Sequence, residues 1–107
     1  MTAAREIVLY DTTLRDGMQR EGLSVSVEEK IRIARRLSDL GIHVIEGGFL
    51  GSNPKDEDFF RRLEGEPLGN AVVAAFGMTR GRGAKVNADP KLRALARSWV
   101  PMVTIVG

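Results

Sequence analysis

The sequence predicts an α/β fold built on parallel strands, and three observations predict it. Short apolar segments of strand length alternate with amphipathic stretches of helical period along all 107 residues. The alternation recurs at a spacing of roughly thirty residues, the size of a βαβ unit. One strand segment, Ala71 to Phe76, is apolar throughout, the form expected when both faces of a strand are covered. A composition of 43% hydrophobic and 28% charged residues is ordinary for a globular chain and excludes disorder and collagen-like repeats. At most one domain is expected.

The first strand is placed at Ile7 to Tyr10, where β-branched and aromatic residues run into the polar cluster Asp11-Thr12-Thr13. After a glycine-containing loop, Ser26-Val27-Glu28-Glu29 has the Ser-x-x-Glu form, in which hydroxyl and carboxylate can each accept a terminal backbone N–H. The first helix starts there. Val27, Ile31, Ala34, Leu37 and Leu40 make one apolar stripe, and Gly41 can take the left-handed turn that ends it. Ile42 to Glu46 reads as the second strand. Asn53, Pro54 and Asp56 mark a second helix start, with Phe59, Phe60 and Leu63 as its apolar face and Gly65 to Gly69 as its close. Ala71 to Phe76 is the third strand. Asp89-Pro90 opens a third helix carrying Leu92, Leu95 and Ala96, with Trp99 as a core residue closing it against the sheet. Met102 to Val106 is the fourth strand, expected to form an uncovered edge with no helix after it.

Charge and composition narrow the function classes. Sixteen Lys and Arg against fourteen Asp and Glu are interspersed, so the balance does not demand a polyanion partner. Without Cys, disulfides and thiolate metal sites are excluded, leaving any metal to oxygen ligands or the single His43. No apolar run reaches the ~20 residues of a membrane span, and Met1 to Glu6 lacks the apolar core of a signal peptide. A soluble, cytoplasmic protein is expected, with no nucleic-acid or membrane partner. Thr79 to Lys85 is basic and glycine-rich, but no aromatic residue interleaves it to stack bases. Val86 breaks the glycine spacing of a dinucleotide fingerprint. A solvated surface turn is the better reading.

Polar residues gather where strands hand over to loops: Asp11, Thr13, Arg15, Asp16 and Gln19 after the first, Glu46 at the end of the second, Thr79 and Arg80 after the third. In parallel α/β folds that end of the sheet is where sites are built. A carboxylate is a hard oxygen ligand for a divalent metal, and a neighbouring guanidinium can stabilise an enolate or alkoxide oxyanion without losing its proton. The plain alternatives are a solvated turn with an adjacent ion pair for Arg15 and Asp16, and a buried glutamate paired with an arginine for Glu46. His43 stands at the start of the second strand, on the wrong side for such a site, and reads as a packing residue.

The run Asp11-Thr12-Thr13-Leu14-Arg15-Asp16-Gly17-Met18-Gln19 resembles the opening signature of the metal-dependent barrel family of isopropylmalate, homocitrate and citramalate synthases and hydroxymethylglutaryl-CoA lyases. Ile45-Glu46-Gly47-Gly48, then Gly51-Ser52-Asn53-Pro54-Lys55-Asp56, Ala75-Phe76-Gly77 and Thr79-Arg80, look most like the citramalate synthase branch. The resemblance implies that residues 1–107 are the N-terminal part, about four βα units, of a (β/α)8 TIM barrel catalytic domain cut after the fourth strand. Such a barrel typically needs ~250 residues. It implies an acyltransferase in which acetyl-CoA, as co-substrate, condenses with pyruvate on Mg²⁺, Mn²⁺ or Zn²⁺, on a route to isoleucine and leucine; isopropylmalate or homocitrate synthase is the alternative. By motif position Asp16 is the metal ligand, Arg15 the catalytic and substrate-binding arginine, Gln19 a substrate-pocket residue and Glu46 a catalytic or Arg15-orienting carboxylate. The whole enzyme is expected to be a homodimer. The family's His-x-His metal pair has no counterpart here, so this chain alone is expected to be inactive, and a non-catalytic piece that self-associates through its open strands is the reading from another class.

Overall fold

The computed structural model describes residues 6–19, 24–51 and 53–107. Residues 1–5, residues 20–23 of the expected glycine-containing loop and Ser52 of the second motif lie outside the described residues. Four parallel strands form one sheet in the order β1-β2-β3-β4, with β1 Tyr10–Asp11, β2 Val44–Phe49, β3 Val72–Met78 and β4 Met102–Val106. Helices α1 Val27–Asp39, α2 Pro54–Leu63 and α3 Pro90–Arg97 connect them in turn, with short 3-10 turns at Gly17–Gln19 and Val86–Ala88. This is the alternating α/β order of the first half of a TIM barrel.

The helix starts follow the residues that predicted them. Ser26 accepts from the N–H of Glu29, Asn53 from Lys55 and Asp56, and Asp89 from Lys91 and Leu92. Pro54 and Pro90 each open a helix whose first N–H would go unpaired anyway. The Ser26 box differs in one detail: the Glu29 carboxylate accepts from the Ser26 hydroxyl, at 3.0 Å, rather than from a backbone N–H. Gly41, at φ 94°, supplies the left-handed residue after α1.

The core lies between the helices and one face of the sheet. Ile31 and Ala34 of α1, Phe59, Phe60 and Leu63 of α2, and Leu95 of α3 pack with Ile45, Val73 and Ala75. Full burial of each large side chain is worth about 1.5–3 kcal/mol. Gly47 faces this layer, and a Cβ there would stand 2.9 Å from the Phe59 ring, so a side chain at 47 would push α2 off the sheet.

Several expected boundaries shift. β1 is only two residues long, and Ile7, Val8 and Leu9 are exposed, because β1 pairs on one side only. The Leu9 carbonyl still accepts from the N–H groups of His43 and Val44, so the chain runs beside β2 before the ladder begins. β2 starts two residues later than expected and continues through Gly47 and Gly48 to Phe49, because a register shift between Glu46 and Gly48 absorbs the glycines as a bulge. β3 likewise runs on to Met78. Leu40 is the C-cap of α1 and is 79% exposed, not part of its stripe. Ala96 is exposed and Leu95 takes the buried position of α3. Trp99 is half-exposed rather than core, anchored through its Nε1–H to the Phe60 carbonyl at 2.9 Å. β4 is an exposed edge as expected, with Met102, Val103, Ile105 and Val106 all open to solvent. Among the described residues no helix is long and apolar enough to cross a membrane.

Candidate functional site

The turn after β1 is set by its own side chains. Asp11 accepts from the Thr13 N–H at 2.9 Å and from its hydroxyl at 3.1 Å, stopping the strand. The Thr12 carbonyl then takes the N–H groups of Arg15, Asp16 and Gly17, the shortest at 2.7 Å. That tight turn drives Leu14 into the core, where it is 1% exposed. Arg15 is thereby sent back over the opposite face of the sheet.

There its Nε–H donates to Oε1 of Glu46, and its guanidinium lies over the Phe76 ring, 4.1 Å from the centroid. Glu46, from the middle of β2, is 1% exposed, and its other oxygen accepts from the Tyr10 hydroxyl. The Tyr10 hydroxyl also meets Oγ1 of Thr104 on β4, at 2.6 Å. Three strand spacings of about 4.8 Å would hold β1 and β4 about 14 Å apart in a flat sheet. The Tyr10–Thr104 contact therefore needs a strongly curved sheet, with Tyr10, Glu46, Phe76 and Thr104 on its concave side. Burial, then the Glu46 carboxylate beside it, hold the Tyr10 hydroxyl above the ordinary phenol range.

Arg15, Asp16 and Glu46 are thus brought together. The Asp16 carboxylate, 64% exposed, stands 3.6 Å from the Arg15 Nη1. Gln19 closes the 3-10 turn that follows. A cleft of about 580 Å³ opens beside Arg15, lined by Met18, Val25, Phe49 and Lys55 and also by Lys30 and Asp56. Both Glu46 oxygens are engaged, so its first effect is to hold Arg15 in place. A guanidinium braced by a carboxylate and an aromatic face, its outer nitrogens hydrogen-bonded to none of the described residues, is a fixed receptor for a carboxylate or a developing oxyanion.

Other expectations resolve differently. His43 precedes β2, at the end of the sheet away from Arg15, and its Nδ1 accepts from the Leu9 N–H at 2.9 Å, so it tethers β1 instead of packing. The Thr79–Lys85 loop folds on itself: Arg80 donates to the Ala84 carbonyl, and the Gly81 N–H donates to Asp89 at 2.7 Å. Among the described residues no three His, Cys, Asp or Glu side chains cluster as a metal site.

Two groups were not singled out by the sequence. Tyr10 and Thr104 carry a signal only through strand register. On the helix side of β2, Lys30 is 2% exposed; its Nζ reaches Asp56 at 2.8 Å and the Gly47 carbonyl at 3.1 Å, over the Phe59 ring. The other Asp56 oxygen accepts from the Phe49 N–H at 2.9 Å. A Cβ at Gly48 would lie 2.7 Å from that carboxylate, so the bulge needs glycine there.

Against known proteins, residues 6–96 match the HMGL-like family model. The chain is 50% identical over 104 residues to the (R)-citramalate synthase of Aquifex aeolicus, covering 97% of this chain and 20% of that protein. It is 50% identical over 106 residues to that of a Synechocystis species, covering 99% and 19%. It is 46% identical over 71 residues to the 2-isopropylmalate synthase of Pyrococcus furiosus, covering 66% and 14%. The chain spans about a fifth of the length of the citramalate synthases it matches.

Proposed function

The chain belongs to the HMGL-like family, and from that premise we propose that it is the Arg15-bearing part of a citramalate-forming acyltransferase, residues 1–107 of a TIM-barrel catalytic domain. The overall reaction is a Claisen-type condensation: acetyl-CoA gives up a methyl proton, the enolate carbon bonds to the keto carbon of pyruvate, and water then cleaves the thioester to release CoA. The observation that carries this reading is Arg15, braced by Glu46 and Phe76 with Asp16 beside it at the carboxyl end of β1.

Asp16 fits as one oxygen ligand, since its carboxylate is exposed and only loosely paired; the described residues supply no cluster around it, so further ligands have to come from elsewhere. A divalent metal bound there supplies Lewis-acid polarisation of the keto oxygen. Arg15 orients the 2-oxo acid and offsets negative charge as it develops, with no reorganisation because Glu46 already holds it. Gln19, at the end of the same turn, is assigned to the substrate pocket. The 107 residues by themselves are expected to be inactive. The reading carries a cytoplasmic location, small-molecule substrates, a homodimer for the whole enzyme, and self-association of the isolated piece.

The citramalate branch is favoured over isopropylmalate synthase because its relatives match nearly the whole chain rather than two thirds of it. The test is a chimera in which this chain replaces the matched fifth of the Aquifex aeolicus protein, assayed for CoA release with acetyl-CoA, Mg²⁺ or Mn²⁺ and pyruvate. Pyruvate-dependent release is expected, falling about 10²–10³-fold in Arg15→Ala. A folded but inactive chimera, or one preferring a longer 2-oxo acid, overturns the assignment. Turnover by the 107-residue chain alone would overturn its expected inactivity.

A further inference from the structure

Nothing in the reaction above uses Tyr10 or Thr104, yet they close the hydrogen-bond chain that ends at Arg15. The geometry points to Tyr10 and Thr104 as positioning residues: their hydroxyls tie β1 to β4 across the concave face and hold one oxygen of Glu46, leaving the other for Arg15.

Proton counting orders the chain. An ionised carboxylate only accepts, so the one Tyr10 hydroxyl proton goes to Glu46. In the 2.6 Å contact with Tyr10, Thr104 must then be the donor. The run is Thr104 to Tyr10 to Glu46, with Arg15 donating to the same carboxylate from the other side. The charged groups facing Tyr10 are Glu46 from β2 and Arg15 from the turn after β1; Thr104 from β4 is the polar one. Without Tyr10, Glu46 would have a buried oxygen with no partner and could swing away from Arg15. The direction of Arg15 thus depends on a hydroxyl 89 positions along the chain, two strands past the one bearing Glu46.

The two contacts act on the Tyr10 proton with opposite sign. The Glu46 carboxylate favours the neutral phenol, whereas a hydroxyl donated from Thr104 favours the phenolate. Tyr10 is the single tyrosine of the chain, so tyrosinate absorbance reads it alone. The experiment is an alkaline titration of the 107-residue chain and three variants. The parent midpoint is expected above that of free tyrosine, Glu46→Gln is expected to lower it, Thr104→Val to raise it further, and Asp16→Asn to leave it in place. The Thr104→Val arm cannot be mimicked by unfolding, because an unfolded chain returns Tyr10 to its ordinary value. A parent midpoint at that ordinary value, indifference to Glu46→Gln, or a Thr104→Val midpoint that stays or falls would overturn the assignment. What the hydroxyls are for rests on the condensing reading above; whether they hold Glu46 does not, since this titration reads no turnover and the chimera assay reads no tyrosine.

Discussion

Two ion pairs flank β2 on opposite faces, and they differ in what they leave free. On the helix side Lys30 and Asp56 are enclosed, with side chains 2% and 12% exposed. Both oxygens of Asp56 and two of the three N–H groups of Lys30 are spent on each other or on the backbone of residues 47 and 49, and the ammonium lies over the Phe59 ring. On the concave side Glu46 is as deeply buried, but its partner Arg15 keeps 19% of its side chain in the open and sits beside an exposed Asp16. A saturated pair can only hold the chain in shape, here the bulge that follows Glu46. Lys30, Asp56 and Arg15 all line the same cleft, and there only a group with unspent donors can hold a ligand. The same strand therefore carries a structural charge pair and a functional one, told apart by saturation and not by burial.

Breaking the enclosed pair is the strongest test of that division. Asp56→Ala leaves the Lys30 ammonium without its counter-charge in the core, a loss expected to cost about 3–5 kcal/mol in urea unfolding. Replacing both partners with apolar residues, Lys30→Met with Asp56→Leu, should cost less than Asp56→Ala alone, because no charge is then stranded. If the single and double changes destabilise equally, the pair is not the clamp described. A gentler perturbation reaches the same carboxylate through its helix. Asn53 caps α2 by accepting from the N–H groups of Lys55 and Asp56, at 3.0 and 3.4 Å. Asn53→Ala is expected to cost about 1 kcal/mol by the same measurement. Asn53→Asp, which can still accept, should recover most of it.

How much of this could be read without coordinates depends on the range of the interaction. The caps at Ser26, Asn53 and Asp89 are local, three or fewer residues from the groups they bind, and each helix starts where its cap predicts. β4 was legible to the residue because Pro101 and Gly107 bracket a run of strand-forming residues in which Thr104 is the one polar member. The end of β2 was not, since a bulge lets two glycines stay in the strand where composition reads them as its end. Lys30 had a signal that charge obscured: with Val27, Ile31 and Ala34 it falls on the buried stripe of α1, a position where lysine is credible only with a buried partner. Arg15 and Asp16 stood out through their motif. Tyr10 and Thr104 belong to strands at opposite ends of the sheet, and only its curvature, a property of the assembled strands, brings them together.

Asp89 extends the comparison to a carboxylate spent entirely on backbone. It accepts from the N–H groups of Gly81, Lys91 and Leu92, joining the loop after β3 to the start of α3. These bonds, that from Gly81 first, hold its carboxyl below the ordinary aspartate value of 3.8. A carboxyl depressed in the folded state binds protons more readily when unfolded. Its contribution is therefore complete above the ordinary value and lost as pH falls through the lower, folded one. Stability measured by urea unfolding should decline across that acid window, and Asp89→Asn should flatten this part of the decline while leaving the neutral-pH slope alone. An undiminished acid limb in Asp89→Asn would mean that other carboxylates dominate it.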